Sequence, residues 1–554
     1  MTDVQETEVL ILGGGINGCG VFRDLCVQGV SCLLLERNDF CAGASAASSR
    51  LMHGGLKYLE TGEFRLVRES AEERNRLLRN APHYVSPLPS LVPVRSRFGG
   101  LWAAAARFVG ADAKMNDRGG LILGLGLILY DLYGRRFRAM PRHRMLGRKR
   151  LDALVAGLSG EIIGAGLYYE GQISHAERLG LELLLDGEEM HPRSRALNHA
   201  EIQRVEGGVI SFMQGGSVHR VKPKVIVNAG GAWIDEVNDV LGIPSRLMGG
   251  SKGAHLVVEN PKLLKALNGH MIYFGTADGR VNLLYPFMGR VLIGSTDHRI
   301  EHPDDAICSD EEAEYLCAVV GEIFPGIPVT PSQIRHRFSG VRPLPRADGD
   351  IGMVTRDHSI VELELGSGTP VLCLIGGKWT TFRGFSEQAA DRLLDLLGKR
   401  RVRKTDEMQI GGGRDYPRGD ARETWIGERA ENCSLTPARI GALLSRYGTR
   451  LDRILPQLRG GETPLVHLPG YSREELEWLC RNERVVTLAD LLQRRTAIAI
   501  SGDLTPEVAC EVAEIPARVF EWDAARKRAE IDALSLSSAG EPMTSEKEAS
   551  RHSG

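Results

Sequence analysis

Residues 8–20 read EVLILGGGINGCG, and the rest of the chain is interpreted outward from them. Glu8 to Leu12 is predicted as a short buried strand. It runs into Gly13, Gly15 and Gly18, which keep the G-x-G-x-x-G spacing, with Gly20 one further packing position on. Val21 to Val27 is predicted to be helical, Gln28-Gly29 to end that helix, and Ser31 to Leu35 to form a second apolar strand ending at Glu36. Each piece has a physical task in a dinucleotide site. Gly13 permits the tight turn, Gly15 lets backbone approach a pyrophosphate, and Gly18 lets helix pack on strand. The helix N-terminus presents N–H groups and a positive dipole end to phosphate. Glu36 stands where a carboxylate accepts hydrogen bonds from a ribose diol. An acid there disfavours NADP, although Arg37 is adjacent. NAD and FAD are not separated by position alone.

Composition bounds the remainder. The chain has 554 residues, 42% hydrophobic and 25% charged, with a net charge of −2. That is ordinary for a packed globular protein and argues against a dedicated nucleic-acid binder. Glycine is abundant, at 65 residues, and falls in short runs beside apolar stretches. The ten cysteines include no CxxC pair, so a reduced, cytosolic-side protein is expected. The acidic N-terminus MTDVQETE does not read as a signal peptide, and no metal site is expected.

Beyond Glu36 the chain continues RNDFCAGASAASSRLMHGGLKYLE, and further motifs follow in order. They are VNAGGAW (227–233), KGAHLVV (252–258), IGSTD (293–297), SGVRPL (339–344) and GGKWTTFR (376–383). Together they resemble the FAD-dependent glycerol-3-phosphate dehydrogenases, within the D-amino-acid-oxidase-like flavoproteins. Residues 439–500, with RYGTR and LLQRRTAIAI, look like that family's helical C-terminal domain. The resemblance implies an α/β fold: a Rossmann-like FAD-binding domain interleaved with a β-sheet substrate domain (1–400), then an all-α domain (401–530). Residues 531–554, rich in Ser, Glu and Lys, are expected to be a disordered tail.

FAD is the implied cofactor, and the residues agree with a flavin. Ser45, Ser48 and Ser49 lie in a small-residue stretch past the second strand, where hydroxyls reach phosphate and ribityl oxygens. Gly230 follows the apolar strand 225–227, and Gly376-Gly377 follow the strand 371–375, so three glycine bends suit one long ligand. Asn17, Arg37 and Gly340 complete the expected cofactor contacts. By resemblance, Lys378, Trp379, Thr380 and Thr381 wrap the flavin ring edge.

Oxidising a secondary alcohol requires a proton acceptor and a hydride acceptor, here flavin N5. A phosphorylated substrate also requires cations. The resemblance assigns Arg342, expected in a turn steered by Pro343, to the reacting centre, and turns the Lys378 ammonium toward substrate. His53 or His255 is the proton acceptor; the sequence leaves both open. Lys57 and Tyr58 are expected at the substrate. Two departures from the family pattern bear on which polyol phosphate is used. Lys57 stands where the family usually carries arginine, which removes a bidentate grip, and His175-Ala176-Glu177-Arg178 stands where it typically has an Asp-Asp-Ala-Arg or Asn-Asp-Ala-Arg run. The expected substrate is sn-glycerol 3-phosphate, with a tetritol phosphate such as erythritol phosphate as alternative. A membrane quinone is the expected acceptor, with an O₂-using oxidase as runner-up. A flavin-binding docking protein without catalysis is the non-enzyme alternative, opposed by the joint presence of Arg342, Lys378, His53 and His255.

GGLILGLGLILYDLYG (119–134) is strongly apolar but too short for a clear span. Seven arginines and Lys149 follow within residues 135–150, and Trp102 and Phe108 precede it. An apolar segment beside a basic one suits peripheral docking on the cytoplasmic face of an anionic membrane. The C-terminal helical block is read as packing or a homodimer surface.

Overall fold

The computed structural model describes residues 4–55, 63–97, 119–134, 139–276, 279–346 and 357–537. Lys57, Tyr58, Trp102 and Phe108 lie outside them, as do Arg135, Arg136 and Arg138.

Strand β1 (Gln5–Leu12) is the axis of the first sheet. Its apolar run Val9–Leu12 is buried on both faces, as a central parallel strand requires. It pairs in parallel with β2 (Cys32–Leu35) on one side and with Ser217–Asn228 on the other. Arg195–Leu197 and Pro370–Ile375 extend the parallel order outward on the two sides. Strand order therefore reverses at β1, and a crevice opens beyond the carboxyl ends of these strands. Helix α1 (Ile16–Val27) packs between Ala176–Met190 and Phe382–Leu396, which explains why it is buried on nearly every face.

A second sheet covers the crevice. Its order is His298–Arg299, Met248–Val258, Arg290–Gly294, Val281–Phe287, Met271–Gly275, Val85–Val94, Gly164–Ile173, Leu51–Met52. Strand Ile334–Pro345 pairs antiparallel with Met248–Val258. This corrects the turn expected around Arg342: Arg342 is a strand residue, opposite Ser251. Pro343 is tolerated because, among the described residues, its strand has that one sheet partner, so its other edge requires no N–H.

The apolar stretch forms a helix, Gly120–Tyr133. It packs against Phe64–Asn80 and the strand Gly164–Ile173. Helices from Asp420–Cys433 to Ala524–Ser537 enclose a core of their own. The last helix runs to Ser537, past the expected start of a disordered tail at 531, because Leu534 is buried in that helical core. Residues 538–554 lie outside the described ones.

Candidate active site

The crevice is a cleft of about 920 Å³. One end is built by the bend after β1. Gly13 has φ +109°, and a Cβ there would lie 2.6 Å from the Ala229 carbonyl oxygen. A Cβ on Gly18 would lie 2.0 Å from the Gly13 carbonyl oxygen, so this glycine sets how closely α1 seats on the strand. Gly18 itself does not line the cleft; Gly13, Gly15 and Asn17 do. Asn17 donates from Nδ2 to the Gly376 carbonyl at 3.0 Å, while its Oδ1 is buried with no hydrogen-bond partner among the described residues.

Glu36 lines the same end. Its carboxylate accepts from Gly14 N at 2.7 Å and from Asn38 N at 2.8 Å. Burial pushes its carboxyl up, against the pull of those two N–H groups. Ser45 Oγ accepts from Ile16 N at 2.9 Å, and its carbonyl accepts from Trp379 Nε1 at 2.9 Å. Ser45 thus ties the helix start to the Lys378–Thr380 turn. Trp233, which the sequence did not single out, lines the far end with Arg37, whose guanidinium lies 5.8 Å from the indole centroid. Its place in VNAGGAW, directly after the glycine bend, was the available signal.

The other end gathers the expected chemistry. His53, His255, Arg342 and Lys378 line one cleft, with Ser48, Ser49, Gly230, Gly340, Gly377, Trp379 and Thr380. Thr381 does not line it; its side chain is buried behind the bend. Arg342 is fully engaged. Nη1 donates to Asp297 at 2.9 Å, to Ser251 Oγ at 3.1 Å and to the Lys252 carbonyl at 3.1 Å. Nη2 donates to the Thr296 carbonyl at 2.9 Å and Ser295 Oγ at 3.2 Å. Lys378 Nζ donates to Ser70 Oγ at 3.1 Å.

The two histidines differ. His255 is buried, stacks on Phe338 at 5.0 Å, and shares a 2.7 Å hydrogen bond between Nε2 and Ser49 Oγ. Burial, then the charges of Arg342 and Arg50, press its pKa down to about 3. His53 is half-exposed, at the end of strand Leu51–Met52, with Nδ1 3.9 Å from Glu170 Oε1.

His175 to Arg178 do not line the cleft. Arg178 donates to both carboxylate oxygens of Glu483, at 2.6 and 2.8 Å, and Glu177 pairs with buried Arg50. Arg178, which the family run shares, therefore reaches across to the helical domain, while the departing Glu177 pairs inside the cofactor domain, away from the cleft.

The cleft fits an extended dinucleotide on three grounds: glycine bends on three strands, an orphaned buried oxygen on Asn17, and a helix N-terminus at one wall. Comparison with known proteins agrees. Residues 8–383 match the model of FAD dependent oxidoreductases, and residues 403–527 that of the C-terminal domain of alpha-glycerophosphate oxidase. A glycerol-3-phosphate dehydrogenase of Synechocystis is 32% identical over 90% of both chains. A D-erythritol 1-phosphate dehydrogenase of Brucella abortus is 30% identical over 90% of this chain and 95% of its own. The fold matches the FAD complex of a Bacillus halodurans glycerol-3-phosphate dehydrogenase, with a TM-score of 0.74 at 23% identity, over 98% and 97% of the two chains.

Proposed function

The chain belongs to the FAD-dependent glycerol-3-phosphate dehydrogenase family, and on that premise we propose that it oxidises sn-glycerol 3-phosphate to dihydroxyacetone phosphate and passes the electrons to a membrane quinone. The carrying observation is convergence: His53, Arg342 and Lys378, from three distant segments, line one cleft with the glycine bends. FAD, when bound, supplies the two-electron acceptor.

The chain's own residues bind, orient and deprotonate. Arg342 and Lys378 bring positive charge to the substrate end, where a phosphate is held and negative charge on the reacting oxygen is stabilised. Lys57 and Tyr58 keep the substrate roles their motif implies. His53 accepts the hydroxyl proton at Nε2, because Nδ1 faces Glu170. His255 serves as a neutral hydrogen-bonding wall, since a group at about 3 holds no proton near neutrality. Glu36, Asn17 and the glycine bends retain the cofactor.

A second substrate has a specific observation behind it: the Brucella abortus erythritol-phosphate enzyme is about as similar as the glycerol-phosphate relatives. Anaerobic mixing of holoprotein with a panel of polyol phosphates tests both. Flavin bleaching fastest with sn-glycerol 3-phosphate is expected, slowed by orders of magnitude in Arg342→Ala with flavin retained. Bleaching by no polyol phosphate rejects the reading. Peroxide release in air identifies an oxidase instead.

Peripheral attachment to the cytoplasmic membrane face rests on the helix Gly120–Tyr133. Leu121, Leu125, Ile128 and Leu132 are exposed along it, and Arg142, Arg144, Lys149 and Arg150 are exposed just after it. Among the described residues no helix is long and apolar enough to cross a membrane. A homodimer through the helical domain remains part of the same proposal.

A further inference from the structure

Glu170 lies within the strand Gly164–Ile173, and its side chain is only 1% exposed. A carboxylate so placed is costly unless its oxygens are matched. One oxygen is saturated. Oε2 accepts from Gly54 N at 2.8 Å, Tyr130 Oη at 2.8 Å and Arg74 Nη1 at 3.2 Å. The other, Oε1, has no hydrogen-bond partner among the described residues. It faces His53, whose Nδ1 is 3.9 Å away. At that distance the contact is electrostatic, not a hydrogen bond.

The surroundings are built for this arrangement. Arg74 Nη1 also bonds the Tyr130 hydroxyl, and its guanidinium lies 5.0 Å from the Tyr130 ring centroid. Gly54, next to His53, leaves the necessary room: a Cβ there would lie 2.1 Å from Tyr130 Oη and 2.5 Å from Arg74 Nη1. Burial alone would push the Glu170 carboxyl up, but His53 and Arg74 outweigh it and hold the group ionised. Burial, in turn, keeps the Tyr130 phenol protonated and therefore a donor.

We propose that Glu170, Arg74 and Tyr130 are positioning residues for His53, and that the seating of the helix Gly120–Tyr133 is transmitted through them to the proton-accepting imidazole. A fixed carboxylate beside Nδ1 favours the tautomer with hydrogen on Nδ1 and leaves the Nε2 lone pair for substrate. When the substrate O–H bond breaks and the proton joins Nε2, the same carboxylate stabilises the cation formed. The carboxylate itself stays ionised throughout. The helix whose outer face carries Leu121, Leu125 and Leu132 supplies the Tyr130 hydroxyl from its inner face.

The proposal rests on the proton-acceptor role of His53. Anaerobic bleaching by sn-glycerol 3-phosphate, expressed per bound flavin, is measured in Tyr130→Phe, Glu170→Gln, Glu170→Asp and Leu125→Ser holoproteins. The limiting rate is expected to fall about 10- to 100-fold in Y130F and E170Q. Half-saturating concentration is expected to change little. Glu170→Asp, which keeps the charge, is expected to outperform the isosteric E170Q, and L125S to match wild type. A full-rate E170Q, an E170D slower than E170Q, or losses confined to half-saturation would overturn the positioning role. If no polyol phosphate bleaches wild type, the functional reading falls by itself. Crystal structures of E170Q and Y130F then decide the positioning role: a reoriented His53 ring supports it, and an unmoved ring overturns it.

Discussion

At the residue scale, two histidines from family motifs enter the same cleft and are made different by what surrounds them. His255 is enclosed by Ser49, Phe338 and the charges of Arg342 and Arg50. In the unfolded chain its imidazole titrates near 6.5; in the fold it is held at about 3. Between those values the unfolded chain binds a proton that the folded chain does not. Stability therefore falls as pH drops from about 6.5 toward about 3, by about 1.4 kcal/mol per unit for one such group. Thermal melts compare wild type with His255→Asn at about pH 7.5 and about pH 5. Wild type is expected to lose more between the two conditions than the variant, which no longer carries this titration. Equal losses in the two proteins reject the assignment. Nothing in KGAHLVV distinguishes His255 from His53 on paper, because the lowered pKa is produced by neighbours far away in the chain.

At the element scale, the helix Gly120–Tyr133 has two faces in different surroundings. Leu123, Leu127 and Tyr130 are buried against the body of the protein, while Leu121, Leu125, Ile128 and Leu132 face outward. An apolar side chain removed from water contributes about 1.5–3 kcal/mol when fully buried, and less at an interface. Converting Leu125 and Ile128 to glutamate is expected to weaken binding to phosphatidylserine-containing vesicles at least about tenfold, by desolvation and by repulsion from anionic lipid. Flotation of wild type and variant with such vesicles, at low and high salt, is the measurement. Wild type that stays unbound at low salt contradicts peripheral docking. The sequence carried the apolar run and the basic residues after it, but not which leucines turn outward. With apolar residues on every side of the helix, periodicity does not choose a face, and packing against Phe64–Asn80 and the second sheet does.

At the scale of the whole molecule, buried charge joins the helical domain to the cofactor domain, beside the apolar packing of Ala497 and Ile500 on the second sheet. Arg178 forks onto Glu483, Arg495 pairs with Asp39, and Glu182 accepts from His83, Tyr84 and Gly412 N. Burial would raise the Glu182 carboxyl, but the hydrogen bond with His83 and the charges of Arg450 and Arg178 hold it at about 2. Removing one member of such a pair leaves an uncompensated charge. Arg178→Met is expected to cost about 3–5 kcal/mol. A lowered denaturant midpoint and earlier proteolysis between the domains would show it, and a loss under about 1 kcal/mol would mean the joint rests on other contacts. The departure at residues 175–177 bore on substrate choice when judged as sequence; in the fold these residues do not line the cleft, and Glu177 pairs with Arg50 behind it.

The cofactor end was legible in the first thirty-six residues because its requirements are local. Strand, bend, helix and second strand interact within a few tens of residues, and a glycine that must tolerate φ +109° leaves a mark in the sequence itself. The fold class and the family followed from the same kind of short, ordered motif. Everything at the proposed reacting end was decided by tertiary structure. Arg342 belongs to a strand and is gripped by Asp297, His255 is silenced by burial, and His53 faces a carboxylate from another strand. Charge and proton affinity depend on desolvation and on partners brought from 45 to 206 residues away, and only the folded chain supplies those.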